Sequence, residues 1–146
     1  METAERVAIE LECLKLCHAF AYHIDHGNFE AMVNLFAPDG VFDRDGVTLR
    51  GRQQIREAMS KRPPVTTRHL VTNFLPLEVG ASRVKSSVYN LSIHSFDPSE
   101  GVKKFDPAAG TRLLEFSDEF QLTPDGWRFA SRIARPVMVV PEWPGS

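Results

Sequence analysis

The stretch Thr67-Arg68-His69-Leu70-Val71-Thr72-Asn73-Phe74-Leu75-Pro76-Leu77-Glu78-Val79 is where this sequence changes its period. Upstream, apolar residues recur at intervals of three and four; from here on they alternate, which is the signature of extended chain. Strands are expected over 67–79, 83–95, 111–122 and 127–140, with turns at Gly80-Ala81 and Pro124-Asp125-Gly126. The segment 97–110, with two prolines, two glycines and two lysines, reads as an exposed or mobile loop. Upstream, a long helix is expected from Thr3 to His26, closed by Gly27-Asn28. A second helix is expected from Phe29 to Phe36 and is broken by Ala37-Pro38-Asp39-Gly40. A short strand, Val41–Asp43, a turn at Asp45-Gly46 and a third helix, Gly51–Lys61, complete the helical half. Helices followed by a run of antiparallel strands make an α+β layout, with the helices on one sheet face. No repeat or linker divides the chain, so 1–146 reads as one domain.

Composition narrows the function. The 146 residues are 42% hydrophobic and carry 17 Lys and Arg against 19 Asp and Glu, a net charge of −2. A chain of this size can bury a real core without disulfides or metals. Mixed charge excludes a nucleic-acid binder working through its bulk field. No apolar run approaches the roughly 20 residues that span a bilayer. The opening METAERVAIELE lacks the basic-then-apolar order of a secretory signal, so the mature protein is expected to start here. Cys13 and Cys17 read as reduced core residues of a cytoplasmic protein. No metal-binding, Gly-rich phosphate or nucleophile-elbow motif is present, so neither metal nor cofactor is expected.

Polar residues then stand where the pattern calls for apolar ones. On the first helix, Val7, Leu11, Leu14, His18, Ala21 and Asp25 fall near one line, and this line is expected to be the buried face. Asp25 would sit in it with Tyr22 and His18 nearby. Such a carboxylate either escapes to solvent at the helix end or lines an internal cavity with a partner. On the strand from Thr67, alternation places His69, Val71, Asn73, Leu75 and Leu77 together. A His among aliphatics is commonly a satisfied core residue, but a buried Asp in need of a donor changes the odds. An Asp–His pair fixes the imidazole tautomer and makes a general base near neutral pH. Farther on, Asp118 and Arg132 lie on successive strands, either as a structural ion pair or with Arg132 as a donor to a leaving group or oxyanion. Tyr89, Asn90, Ser92 and His94 share a strand whose inward face alternation leaves open.

The segment from Tyr22 to Val41 resembles the opening of a SnoaL-like protein of the NTF2-like superfamily. Arg50-Gly51-Arg52-Gln53-Gln54-Ile55, Thr67-Arg68-His69-Leu70-Val71-Thr72-Asn73 and Asp125-Gly126-Trp127-Arg128-Phe129-Ala130-Ser131-Arg132 follow in that family's order. The resemblance implies a cone-shaped α+β barrel, three helices closing a strongly curved, mainly antiparallel sheet around a deep apolar pocket. Within the superfamily, a helix Asp and a strand His recur in the scytalone dehydratase, bile-acid dehydratase and dehydrochlorinase group, where the Asp holds the His as base. The match falls on Asp25 and His69, and Arg132 matches a cavity Arg of the dehydrochlorinase. Phe20 departs from the pattern, standing where those enzymes place a Tyr or Lys; Tyr22 and His18 are the candidate replacements. The ketosteroid isomerases fit less well, since their helix Tyr falls at Phe20 and their Asp base at Arg44.

These readings together predict a cofactor-independent lyase or isomerase acting on a hydrophobic small molecule. His69 and Asp25 would form the base, Tyr22 or Arg132 would serve the oxygen, and His18, Phe20, Val71 and Asn90 would contact substrate. The competing expectation is a non-catalytic binding or assembly module. Apolar residues on both faces of the strands, with the tail from Arg135 to Pro144, predict a homo-oligomer: a dimer first, a trimer second.

Overall fold

The computed structural model describes residues 1–140. Helix α1 (Thr3–Asp25) is followed by α2 (Phe29–Val33), the hairpin β1 (Phe36–Arg44) and β2 (Val47–Arg50), and helix α3 (Gly51–Ser60). Four long strands complete the chain, β3 (Thr66–Val79), β4 (Arg83–Ser95), β5 (Thr111–Thr123) and β6 (Gly126–Val139), with a four-residue helix α4 (Pro107–Gly110) ahead of β5. This is an α+β fold with helices packed on a curved, unclosed sheet ordered β2-β1-β6-β5-β4-β3. All neighbours are antiparallel except β1 and β6, which run parallel. The two edges, β2 and β3, flank the concave side on which α1 and α3 lie.

The long strands stand where alternation puts them, but the segment after α2 differs. The second helix ends at Val33 rather than Phe36, and residues 36–40 already belong to β1. The helix thus stops short of Pro38 and Gly40, which lie within β1 instead of breaking the helix, and the strand carries an irregularity between Phe36 and Val41. Gly40 is required there: a Cβ would lie 2.9 Å from the Phe129 carbonyl oxygen. The Asp45-Gly46 turn joins β1 to β2, both residues in the left-handed region with φ of 51° and 90°. Strand β2 is absent from the sequence expectation, because this short edge strand is mostly exposed and burial imposes little pattern on it.

The buried face of α1 is Ile9, Cys13, Leu16, Cys17, Phe20 and Ala21. This corrects the expected stripe by about a third of a turn at 100° per residue. Val7 and Leu11 are half exposed, and His18 and Tyr22 point to solvent. The helix is apolar on most of its circumference, so hydrophobicity alone could not choose the side. The core it joins contains Met32, Val33, Phe36, Phe42, Ile55, Met59, Val84, Val88, Phe116, Phe120 and Phe129. Phe20 sits among the rings of Phe36, Phe42, Phe116 and Phe129, at centroid distances of 5.4–6.3 Å in edge-on geometry.

Strict alternation also fails inside β3. Asn73 has φ of +54°, and Thr72 and Leu75 pair with Tyr89 and Ser87, so the strand carries one extra residue. A second irregularity lies between Pro76 and Glu78. The bulge reverses the faces beyond it: Phe74 turns inward against the core, while Leu75 and Leu77, expected beside His69, are 57% and 61% exposed. At the other end, the described part of the tail stays in β6 as far as Val139, paired with β5, and residues 141–146 lie outside the described residues.

Candidate active site

Asp25 is the last residue of α1, where the helix dipole disfavours a carboxylate. Its partners lie on β3, which passes the end of the helix. The Asp25 Oδ2 accepts the backbone N–H of His69 at 2.9 Å. The other oxygen, Oδ1, is 2.6 Å from His69 Nδ1 and accepts the Thr67 hydroxyl at 2.8 Å. The two side chains are 5% and 11% exposed. Burial pushes the Asp25 carboxyl up, but the hydrogen bonds from the His69 ring and backbone, the His69 charge and the Thr67 hydroxyl outweigh it, and the group is held below its ordinary value. An ionised Asp25 fixes the His69 proton on Nδ1 and leaves the lone pair on Nε2.

Arg62 supports this pair. It donates to the Ile24 carbonyl and to the Thr67 hydroxyl oxygen, both at 3.3 Å, so a short chain runs from Arg62 through Thr67 to Asp25. Sequence reasoning misses both Arg62 and Thr67. Thr67 does share the inward face with His69, two residues away, which is the signal that could have found it.

His69 forms part of the wall of a 580 Å³ cavity on the concave side of the sheet. Apolar walls come from Phe20, Ile24, Phe42, Leu49, Met59, Val65, Leu114 and Phe116. Polar groups are Ser92, His94, Arg44, Asp45, Arg62 and Arg112. The His69 and His94 rings approach edge-on with centroids 6.1 Å apart, and Ser92 Oγ is 2.7 Å from His94 Nε2. Burial, together with the His69, Arg62 and Arg112 charges, pushes His94 down to about 4, so it is neutral at physiological pH. Strand β4 faces inward with Val84, Ser86, Val88, Asn90 and Ser92, the parity that the sequence leaves open.

Several expected site residues are placed elsewhere. Tyr22 is 56% exposed and stacks on His26 at 4.2 Å, and His18 faces solvent; neither reaches the cavity. Both follow from the rotated face of α1. Val71 packs against the core and Asn90 is buried next to it in the β3–β4 register, but neither lines the cavity wall. Phe20 does line it.

Arg132 lies beneath Phe20, with no exposed surface, and pairs with Asp118 across β5 and β6 at 3.3 Å. Its guanidinium carbon is 4.0, 4.4 and 4.7 Å from the ring centroids of Phe116, Phe20 and Phe129. It is therefore the structural ion pair of the two readings, and the role of donor to substrate is corrected. Burial pushes the Asp118 carboxyl up to about 6 against the opposing effect of Arg132 and a 3.6 Å contact from Cys17.

Among the described residues, no group of three or more His, Cys, Asp or Glu side chains is gathered to hold a metal ion. No helix among them is long and apolar enough to cross a membrane.

Comparisons with known proteins are specific about this fold. The model of a SnoaL-like domain matches residues 5–133. A protein from Novosphingobium aromaticivorans, provisionally named a scytalone dehydratase, superposes with a TM-score of 0.78 at 18% identity, covering 94% of this chain and 89% of that one. A protein of unknown function from Mycobacterium tuberculosis gives 0.75 at 26% identity, covering 96% and 79%. One provisionally named a dehydratase of the NTF2-like family, from Streptomyces avermitilis, gives 0.73 at 19% identity, covering 90% and 99%. No curated protein matches the chain.

Proposed function

The chain belongs to the SnoaL-like domain family of the NTF2-like superfamily, and from that footing we propose that it is a cofactor-independent lyase or isomerase of the dehydratase or cyclase type. The observation that carries this reading is the 2.6 Å contact of His69 Nδ1 with Asp25 on the wall of a largely apolar cavity. Its support is chemical: a buried, oriented imidazole opening on an apolar cavity is what carbon-acid chemistry near neutral pH requires.

The reaction follows from the atoms at hand. His69 Nε2 removes a proton from a carbon next to an activating carbonyl, and Asp25 stabilises the imidazolium that forms. In a dehydration, the electron pair of that C–H bond becomes the new double bond and the β C–O bond breaks. The imidazolium then gives its proton to the departing hydroxyl, so water leaves and His69 returns to neutral. In an isomerisation the same proton is returned to a different carbon. Ser92 and His94, beside His69 on the neighbouring strand β4, hydrogen-bond the oxygen involved. Oriented acid–base catalysis of this kind contributes about 10²–10⁴-fold. The two free, buried cysteines suit a reducing, cytoplasmic setting.

Proton exchange tests the base whatever the natural substrate is. A panel of apolar β-hydroxy ketones and thioesters is incubated with the protein in deuterated water, and loss of the α-proton is followed by NMR. Exchange should occur with wild type and vanish in His69→Ala with the fold intact by thermal melt. Equal exchange in His69→Ala overturns the assignment, and a panel inert towards wild type favours the non-catalytic binding module.

A further inference from the structure

We propose that the substrate of this cavity is an amphipathic anion, whose oxyanion head group is held at the mouth by Arg44 and Arg62 while its hydrophobic body lies against Phe20, Phe42 and Phe116. The inference rests on the reading of this cavity as the active site and adds to it the class of molecule that enters.

Three guanidiniums, from Arg44, Arg62 and Arg112, face one 580 Å³ cavity. They come from three separate places in the fold, the end of β1, the chain just after α3 and the start of β5. Among the described residues, carboxylates do not balance Arg44 and Arg62. Asp25 is committed to His69 and Thr67. Asp45 lies 3.4 Å from Arg112, and Asp43 pairs with Arg135 at 2.8 Å. Arg62 donates to two neutral oxygens, and among the described residues no carboxylate lies within ion-pair distance of Arg62 or Arg44.

The surplus positive charge is also felt within the cavity wall. Burial and then the Arg112 charge lower Arg44, while burial and then the Arg44 charge lower Arg62, which Asp25 only partly offsets. Neutral His94 adds no charge of its own. Guanidiniums that are partly desolvated and repel one another gain most from a shared oxyanion, whose two or three oxygens match their planar forks. The rest of the wall is mainly aromatic and aliphatic. A head group at the mouth would leave the body of the ligand pointing inward, past His69. A neutral hydrocarbon-like ligand would leave Arg44 and Arg62 uncompensated, so the hydrophobic substrate expected from sequence gains an anionic head group.

The test compares charged and uncharged probes of one shape. Isothermal titration calorimetry of the full chain at neutral pH uses naphthoate, naphthyl phosphate and uncharged naphthalenemethanol. At least one anion should bind about tenfold more tightly than the alcohol, and which anion binds better tells a carboxylate head group from a phosphate. Arg44→Gln and Arg62→Gln should each weaken the preferred anion about tenfold and leave the alcohol within about twofold. Thermal melts confirm that both variants fold, and Arg44, at the exposed rim, carries the test alone if Arg62→Gln does not. An alcohol that binds as tightly as both anions overturns the proposal. So does an equal loss for charged and uncharged probes in the variants, or binding of none of the three. His69→Gln should keep the anion preference while abolishing proton exchange, so a failed base and a failed head-group site give different results.

Discussion

Asp25 grips His69 at two points, accepting its backbone N–H through one carboxylate oxygen and facing its ring Nδ1 at 2.6 Å through the other. The first contact fixes where the strand passes, and the second fixes which ring nitrogen is protonated. A neutral amide cannot do both in the same way. In Asp25→Asn, an amide NH₂ turned towards Nδ1 makes that nitrogen an acceptor and moves the imidazole proton to Nε2, the nitrogen that must act as base. Proton exchange should fall about 10²–10⁴-fold, with a stability loss of about 1–3 kcal/mol from the charged hydrogen bonds. Nitrogen-15 NMR of the imidazole reads the tautomer directly, and a wild-type His69 protonated at Nε2 would contradict the mechanism.

Acid should destabilise the protein in two stages. His94 is held at about 4 against 6.5 for a free His, so between those values the unfolded chain binds a proton that the folded chain does not. Stability is therefore complete above pH 6.5 and falls as pH drops towards 4. Asp25 adds a second loss, because its depressed value contributes stability that is present above 3.8 and disappears as pH falls through the folded value. Urea unfolding at successive pH values checks both. The His94→Gln variant, able to keep a hydrogen bond to Ser92, should flatten the upper stage by about 2 kcal/mol, after allowance for the partial exposure of the ring. A slope unchanged in that variant would reject the assignment.

The Asp118–Arg132 pair should behave as a buried ion pair does. Removing one partner, as in Asp118→Ala, strands a guanidinium with no exposed surface and should cost about 3–5 kcal/mol. The double variant Asp118→Leu with Arg132→Met should recover most of that loss, since apolar groups of similar volume replace both charges. Denaturant midpoints of the single and double variants decide it, and two additive losses would contradict the reading.

Exposed apolar residues on the sheet predict self-association. Leu70, Tyr89, Val137 and Met138 are 40–63% exposed. On β4 the alternation that sends Val88, Asn90 and Ser92 inward sends Tyr89 outward. A second copy of the chain covering this face is the expected occupant, in a closed two-fold dimer. Light scattering should give twice the 16.4 kDa of one chain, and Leu70→Lys with Tyr89→Lys should return it towards that value. A wild-type mass near 16.4 kDa overturns the expectation.

How much of the molecule is legible in the sequence depends on what each element has to decide. The four long strands can be read nearly to the residue, because each is long enough for period-two alternation to stand out. The buried side of α1 cannot, since its apolar residues surround most of the axis, and although Cys13 and Cys17 are core as expected, tertiary packing alone selects Ile9 and Leu16 over Val7 and Leu11. Asp25 meets its partner for a reason other than the helix stripe: it lies at the helix end, where β3 comes within reach. The faces of Leu75 and Leu77 are lost to the bulge at Asn73, a backbone event that no side-chain period announces. The guanidiniums around the cavity are invisible in the sequence because three places far apart supply them, and only the folded sheet gathers them.

The unclosed sheet divides the work between its two rims. The proton-transfer pair is anchored at β3 and the end of α1, whereas Arg44 and Val47 belong to the β1–β2 hairpin on the opposite side. Space around its turn is open, although Gly46 itself, at φ 90°, is held to glycine by its backbone. Lengthening or recomposing that hairpin can thus change which molecules are admitted without disturbing the His69–Asp25 geometry. Admission at Arg44 is separable from proton transfer at His69, whereas Arg62, which bonds Thr67 beside the pair, joins the two rims.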